Sequence, residues 1–229
     1  MKTFRTMIAS VPGLLLAVML LAVPVSVAQA DELGDAVLNL QHAWAKANYT
    51  TPEGKKEAAF KSLVERAAAL AAKYPQRAEP KIWEAIIRAG YAGAMGGVSS
   101  MFNAMPQMEK GRDLLLAAEK IDPMAMHGSI YTTLGSFYYM VPGGFIGFKD
   151  TDKALEYLNK GIALAPEDMD ANYFLGDYWL DQKKYKKALP YFEKVISLPD
   201  VEDRPVYSRG RKAEAAGKLA EVKKRLHIK

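Results

Sequence analysis

From about residue 33 onward, apolar positions recur at three- and four-residue spacing, with polar residues between them. Few segments show the two-residue alternation of a strand, and none is bounded by hairpin turn signals. Residues 33–47 and 55–74 carry the first two stripes. Thr50, Thr51, Pro52, Glu53 and Gly54 form the turn between them, and Pro75 closes the pair. A second pair runs from Trp83, Ile86 and Ile87 to Leu115, Ala118 and Pro123, across an insertion at 90–106. Two further pairs occupy 128–166 and 169–200, and an amphipathic stripe over 211–226 ends the chain. The pattern predicts an all-α domain over 31–229, with four helical hairpins stacked into a solenoid and closed by a capping helix.

The unit at 171–200 is the clearest. Leu175 and Gly176 sit in its first helix with Trp179 on the same face. Tyr185 opens the second helix, Ala188 follows twelve residues after Gly176, Phe192 and Val195 line the inner side, and Pro199 ends it. The preceding unit repeats this with Tyr131, Leu134, Gly135 and Tyr138, then Ala154, Leu158 and Pro166. Glycine and alanine at facing positions let two helices approach, and the aromatics fill the space between hairpins. These residues resemble the tetratricopeptide repeat. The order of elements over 80–226 also looks like secreted bacterial tetratricopeptide proteins. It is distantly similar to the tetratricopeptide T-component of TRAP-type transporters, a resemblance that implies solute handling beside a transporter.

The chain departs from plain repeats in two places. Gly135 to Ala154 is nineteen residues where the next repeat has twelve, and the excess falls in residues 140–148. That segment contains Val141, Pro142, three glycines, Phe145, Ile146 and Phe148. Either it folds over the concave face to wall off a pocket, or it tucks its apolar residues onto the neighbouring hairpin. In the insertion at 90–106, Gly90, Gly93 and Gly97 share a helical face. They fit close helix contact or a thin wall beside a cavity, and they do not form a phosphate-binding glycine loop. Seven of the eight methionines after residue 30 lie between Met95 and Met140. Met101, Met105 and Met108 have helical spacing, which suits core filling, a hydrophobic ligand pocket or a thioether site for Cu(I).

The first thirty residues read as a cleaved secretory signal peptide. Lys2 and Arg5 precede an apolar run at 13–23, Pro24 breaks it, and Ala28, Gln29 and Ala30 present small residues to a peptidase. The run is short for a membrane span, which needs about 20 residues. No later segment is long and apolar enough. Cleavage removes two of the 31 basic residues and none of the 26 acidic ones, leaving +3. That near-neutral balance argues against nucleic acid as a partner. The chain has no cysteine, hence no disulfide, thiolate metal site or N-terminal lipid attachment. In a Gram-negative source the expected location is the periplasm.

His42, His127 and His227 lack ligand spacing, so no metal site and no cofactor are expected. Asp177, Asp181 and Glu193 read as solvated or paired charges, and Lys183 to Lys187 as a solvated turn. Without an acid–base or nucleophile constellation, the sequence predicts no enzyme. The candidate binding residues are Tyr131, Tyr138, Asn172, Tyr173 and Trp179 on first helices, Phe145 and Phe148 in the loop, and Met101 and Met105 in the methionine cluster. The leading expectation is a scaffold that binds an envelope protein or peptide. The alternative is an accessory protein of an envelope transporter, holding an apolar small molecule in a pocket closed by 90–106 and 140–148.

Overall fold

The structure is a computed structural model. It describes the backbone at 23–96 and 100–228, and side chains at 32–96 and 102–228. The expected signal peptide therefore falls largely outside the described residues, as do Gly97 and the side chain of Met101. The chain divides into a short unit, 1–34, and a main unit, 35–229.

Every regular element among the described residues is helical. The helices are α1 (Val23–Tyr49), α2 (Glu53–Lys73), α3 (Ala78–Ala94), α4 (Ser100–Ile121), α5 (Ser129–Met140), α6 (Thr151–Leu164), α7 (Met169–Asp181), α8 (Tyr185–Ser197) and α9 (Pro205–Leu226), with a 3-10 turn at Ala125–Gly128 before α5. Four helical pairs follow in chain order, α1–α2, α3–α4, α5–α6 and α7–α8; the last three pack as hairpins, α2 packs on α3, and α9 packs on α8 as the cap. No described helix is long and apolar enough to cross a membrane.

Local signals explain the boundaries. Asp150 and Asp168 cap α6 and α7 by accepting hydrogen bonds from the backbone N–H of Lys153 (3.0 Å) and Ala171 (2.8 Å), each worth about 1 kcal/mol. Pro205 starts α9, where a missing N–H costs nothing. Two expectations shift. The cap begins at Pro205 rather than near Arg211. The insertion at 90–106 is mostly helix: α3 runs to Ala94 and α4 resumes at Ser100 with Pro106 inside it.

The hairpins close through small residues, as the repeat pattern requires. A Cβ at Gly135 would meet Leu158 Cγ at 2.6 Å and the Ala154 carbonyl oxygen at 3.0 Å. The core joins Ile82, Leu115, Ile130, Leu134, Phe137, Leu158 and Leu175, all 2% exposed or less. First helices α3, α5 and α7 adjoin in turn, and α9 continues the row after α7. They form an inner layer, with α6 and α8 outside.

Within the main unit the row returns on itself. The part of α1 beyond residue 35 meets α9. Tyr49 donates its hydroxyl hydrogen to Glu214 Oε2 (3.2 Å), and His42 Nε2–H donates to the Asp203 carbonyl (2.6 Å). The Trp44 ring lies 6.4 Å from Tyr207 and 6.2 Å from Trp83, and Gly210 packs directly against the Tyr49 ring. Contacts 161 to 165 residues apart thus join α1 to the cap. An open solenoid with a plain capping helix does not predict this.

Candidate functional site

The inner helices border a half-open cavity of about 590 Å³. That lies within the ~300–1,000 Å³ typical of small-molecule sites. Each inner helix contributes one stripe. On α3 it is Trp83, Ile86, Gly90 and Gly93; on α5, Ser129, Thr132, Thr133, Ser136 and Met140; on α7, Asp170, Tyr173 and Asp177; on α9, Arg211, Glu214 and Lys218. The spacings are three, four and seven residues, the near face of a helix. Trp44 of α1, Phe60 of α2 and Met105 and Met108 of α4 complete the wall. No residue of α6 or α8 reaches it.

The two insertions supply opposite kinds of wall. Gly90 stands directly against the Phe60 ring, so it serves close packing. Gly93 faces open space: a Cβ there has nothing within 4 Å. From the later insertion Met140, Val141 and Pro142 line the cavity. Phe145 does not; it is fully exposed at the loop tip. Phe148 folds back, edge-on to Tyr138 at 5.6 Å under the Arg112 guanidinium at 4.6 Å. The loop therefore walls the cavity at its root and packs at its end.

An ion network around the buried Arg211 forms the polar side. Arg211 is 5% exposed. Its Nε lies 2.7 Å from Asp170 Oδ1, its Nη1 donates to Glu214 Oε2 at 2.7 Å, and its guanidinium stands 4.3 Å over the Tyr173 ring. Burial works against its charge, but Asp170, Tyr49, Glu214 and Tyr207 outweigh burial and hold the proton well above the usual arginine range. Lys218 pairs with Asp177 at 2.8 Å, and Asp177 accepts from the Tyr139 hydroxyl at 2.8 Å. Burial pushes the Tyr139, Tyr173 and Tyr49 hydroxyls up, so all three stay protonated as donors. Asp168 opens onto the cavity and is still wetted. Desolvation, with the neighbouring Asp170 charge, pushes its carboxyl up to about 6.

Of the residues proposed from sequence, the structure brings Tyr173 and Met105 to the cavity, joined by Met108, Met126 and Met140. Tyr131 is 1% exposed and stacks on Tyr157 at 6.1 Å, and Tyr138 stacks on the same ring at 5.7 Å. Asn172 spends its amide on the Pro166 and Asp168 carbonyls, closing the turn before α7. Trp179 lies under Lys187 at 4.2 Å, away from the cavity. Tyr131, Tyr138, Asn172, Trp179 and Phe148 hold the fold together. Asp177, read as a solvated or paired charge, is paired with Lys218 and lies in the cavity wall. Sequence reasoning missed Trp44, Trp83, Asp168, Asp170, Arg204, Arg211 and Glu214. A usable signal existed in Arg204, Tyr207, Arg211, Glu214 and Lys218, which repeat at three and four residues along one face of α9.

Comparison with known proteins agrees with this architecture. Residues 170–200 match the family model of the tetratricopeptide repeat. Among solved structures, the chain is similar to a thermophilic TPR protein of Thermus thermophilus. The TM-score is 0.52 and the identity 16%, over 84% of this chain and 94% of that one. No curated protein matches the sequence. The fold is thus an α-solenoid of tetratricopeptide type, with residues 170–200 as one such repeat.

Proposed function

We propose that the protein is an exported binding protein whose inner cavity holds one small amphipathic ligand. The observation that carries this reading is the half-open cavity of about 590 Å³ between the inner helices. Contact between α1 and α9 turns what is an open groove in a plain solenoid into a ligand-sized space. One wall is polar and hydrogen-bonding; the other carries Phe60, Ile86, Phe137 and four methionines. Methionine suits such a wall because its flexible thioether adapts to the shape of an apolar guest. The signal-peptide-like sequence pattern expected at 1–30 is the ground for reading the protein as exported, and with it for a place in the cell envelope.

The fold favours a second reading, in which the same surface holds a segment of a partner protein. Native mass spectrometry of the protein purified from its own compartment separates the two. The first reading predicts a single adduct of small-molecule mass that is lost on delipidation. An adduct of peptide mass, or an empty protein that captures a peptide instead, favours the scaffold.

A further inference from the structure

Three of the four cations in the cavity wall have carboxylate partners. Lys56 pairs with Glu53 at 3.0 Å, Arg211 with Asp170 and Glu214 at 2.7 Å each, and Lys218 with Asp177 at 2.8 Å. Arg204 differs. Among the described residues no carboxylate lies within ion-pair distance of it. Its guanidinium instead stands 4.0 Å over the Tyr207 ring and 5.5 Å from the Trp83 ring. Its Nε is buried without a hydrogen-bond partner. Asp168 acts on it only through the longer-range field. Tyr207 lies in the first turn of α9, so this guanidinium also sits at the positive end of a 22-residue helix.

Two more donors stand beside it. Trp44 is 7% exposed and Trp83 4%, both line the cavity, and neither indole N–H has an acceptor among the described residues. Their rings are 6.2 Å apart, and Trp83 is the ring next to Arg204. Buried indole N–H groups ordinarily find a partner, and leaving one unmet is costly. The cluster Arg204–Trp44–Trp83 thus offers donors and no acceptor, with one unpaired positive charge. A planar guanidinium suits a carboxylate in particular. A phosphate dianion fits worse, because the wall also carries Glu53, Asp168, Asp170, Asp177 and Glu214.

We infer that the ligand is a carboxylate bearing an apolar chain, its head on Arg204 with the Trp44 and Trp83 N–H groups and its chain against Phe60, Ile86, Met105 and Met108. This deepens the small-molecule reading above and rests on it. The same chemistry occurs in a free organic acid and at the C-terminus of an apolar peptide. The volume, about 590 Å³, is that of a small-molecule site, which favours the free acid.

The test is calorimetric titration of the full protein, stripped of bound ligand, with dodecanoate, dodecanol, and an apolar hexapeptide as free acid and as amide. Wild type should bind dodecanoate roughly 10- to 100-fold more tightly than dodecanol, the range of one charge-assisted hydrogen-bonded contact. Arg204→Met should bring dodecanoate down to the level of dodecanol, with a wild-type far-UV circular dichroism spectrum and cooperative melting showing that the variant is folded. Arg204→Lys should keep part of the preference. Equal binding of acid and alcohol by wild type, or a preference that survives Arg204→Met, overturns the inference and leaves the cavity reading standing. No binding of either probe overturns both. Tighter binding of the free-acid peptide than of dodecanoate overturns the free acid as the source.

Discussion

Gly135→Ala isolates the close approach on which the repeat depends. The new methyl group would lie 2.6 Å from Leu158 Cγ, 2.9 Å from its Cδ2 and 3.0 Å from the Ala154 carbonyl oxygen. Leu158 is 1% exposed and has nowhere to retreat, and the oxygen belongs to the backbone of α6. Alanine gains about 1 kcal/mol over glycine inside a helix. A methyl forced into a packed core costs about 1–3 kcal/mol, and more where backbone must move. Sterics should win here, for a net loss of about 1–2 kcal/mol. Gly217, inside α9, provides the control, because a Cβ there meets nothing within 4 Å. Gly217→Ala should gain about 0.5–1 kcal/mol from propensity alone. Urea unfolding followed by far-UV circular dichroism reads both variants against wild type. If Gly135→Ala proves as stable as Gly217→Ala, the close α5–α6 packing described here is wrong.

Further consequences follow for the site and the loop. Arg211→Met leaves Asp170 and Glu214 facing each other without their cation; removing one partner of a buried pair costs about 3–5 kcal/mol, and the partial exposure of these carboxylates brings the expected loss to about 3. A loss under about 0.5 kcal/mol in urea unfolding, the size of an ordinary surface change, would remove the network from the account. Asp168 has a raised pKa in the folded state, from 3.8 to about 6, so the folded protein binds its proton more readily than the unfolded chain. Its ionisation therefore opposes folding above about pH 6, and that cost fades as pH falls and is gone below about pH 4. Asp168→Asn keeps the oxygen that caps α7, so it should be more stable than wild type near pH 7.5 and lose the advantage near pH 4. Asp170, Arg204 and Ala171 N–H are the groups that face it, and an advantage independent of pH would contradict the assignment. In the loop, Phe145→Ser should change the melting temperature little, whereas Phe148→Ala, which loses the Tyr138 and Arg112 contacts, should cost about 1–2 kcal/mol.

The fold was legible because its signals are local. Gly176 with Ala188, Gly135 with Ala154 and the closing prolines mark hairpins within about thirty residues of chain, and helical periodicity does the rest. The cavity was only half legible. The methionine cluster and Gly93 pointed toward it, and Met105, Met108 and Gly93 do line it. Its polar side depends on α1 meeting α9 across more than 160 residues, a pairing that no spacing within a helix encodes. Arg211 and Asp177 look like any surface charge until that closure buries them. Tyr131 and Trp179 misled for the opposite reason: aromatic first-helix positions serve both the groove and the seams between hairpins. The structure puts these two in the seams.

The central claim is that the space beside Gly93 receives a ligand, and one substitution addresses it directly. Gly93→Leu adds a side chain where a Cβ meets no neighbour, so it fills the cavity without disturbing the walls. Calorimetric titration of this variant and wild type with dodecanoate is the measurement. The account predicts one molecule bound per chain in wild type and at least about tenfold weaker binding in Gly93→Leu, a loss of about 1.4 kcal/mol or more, with unfolding stability undiminished. Equal affinity in the two proteins would contradict it.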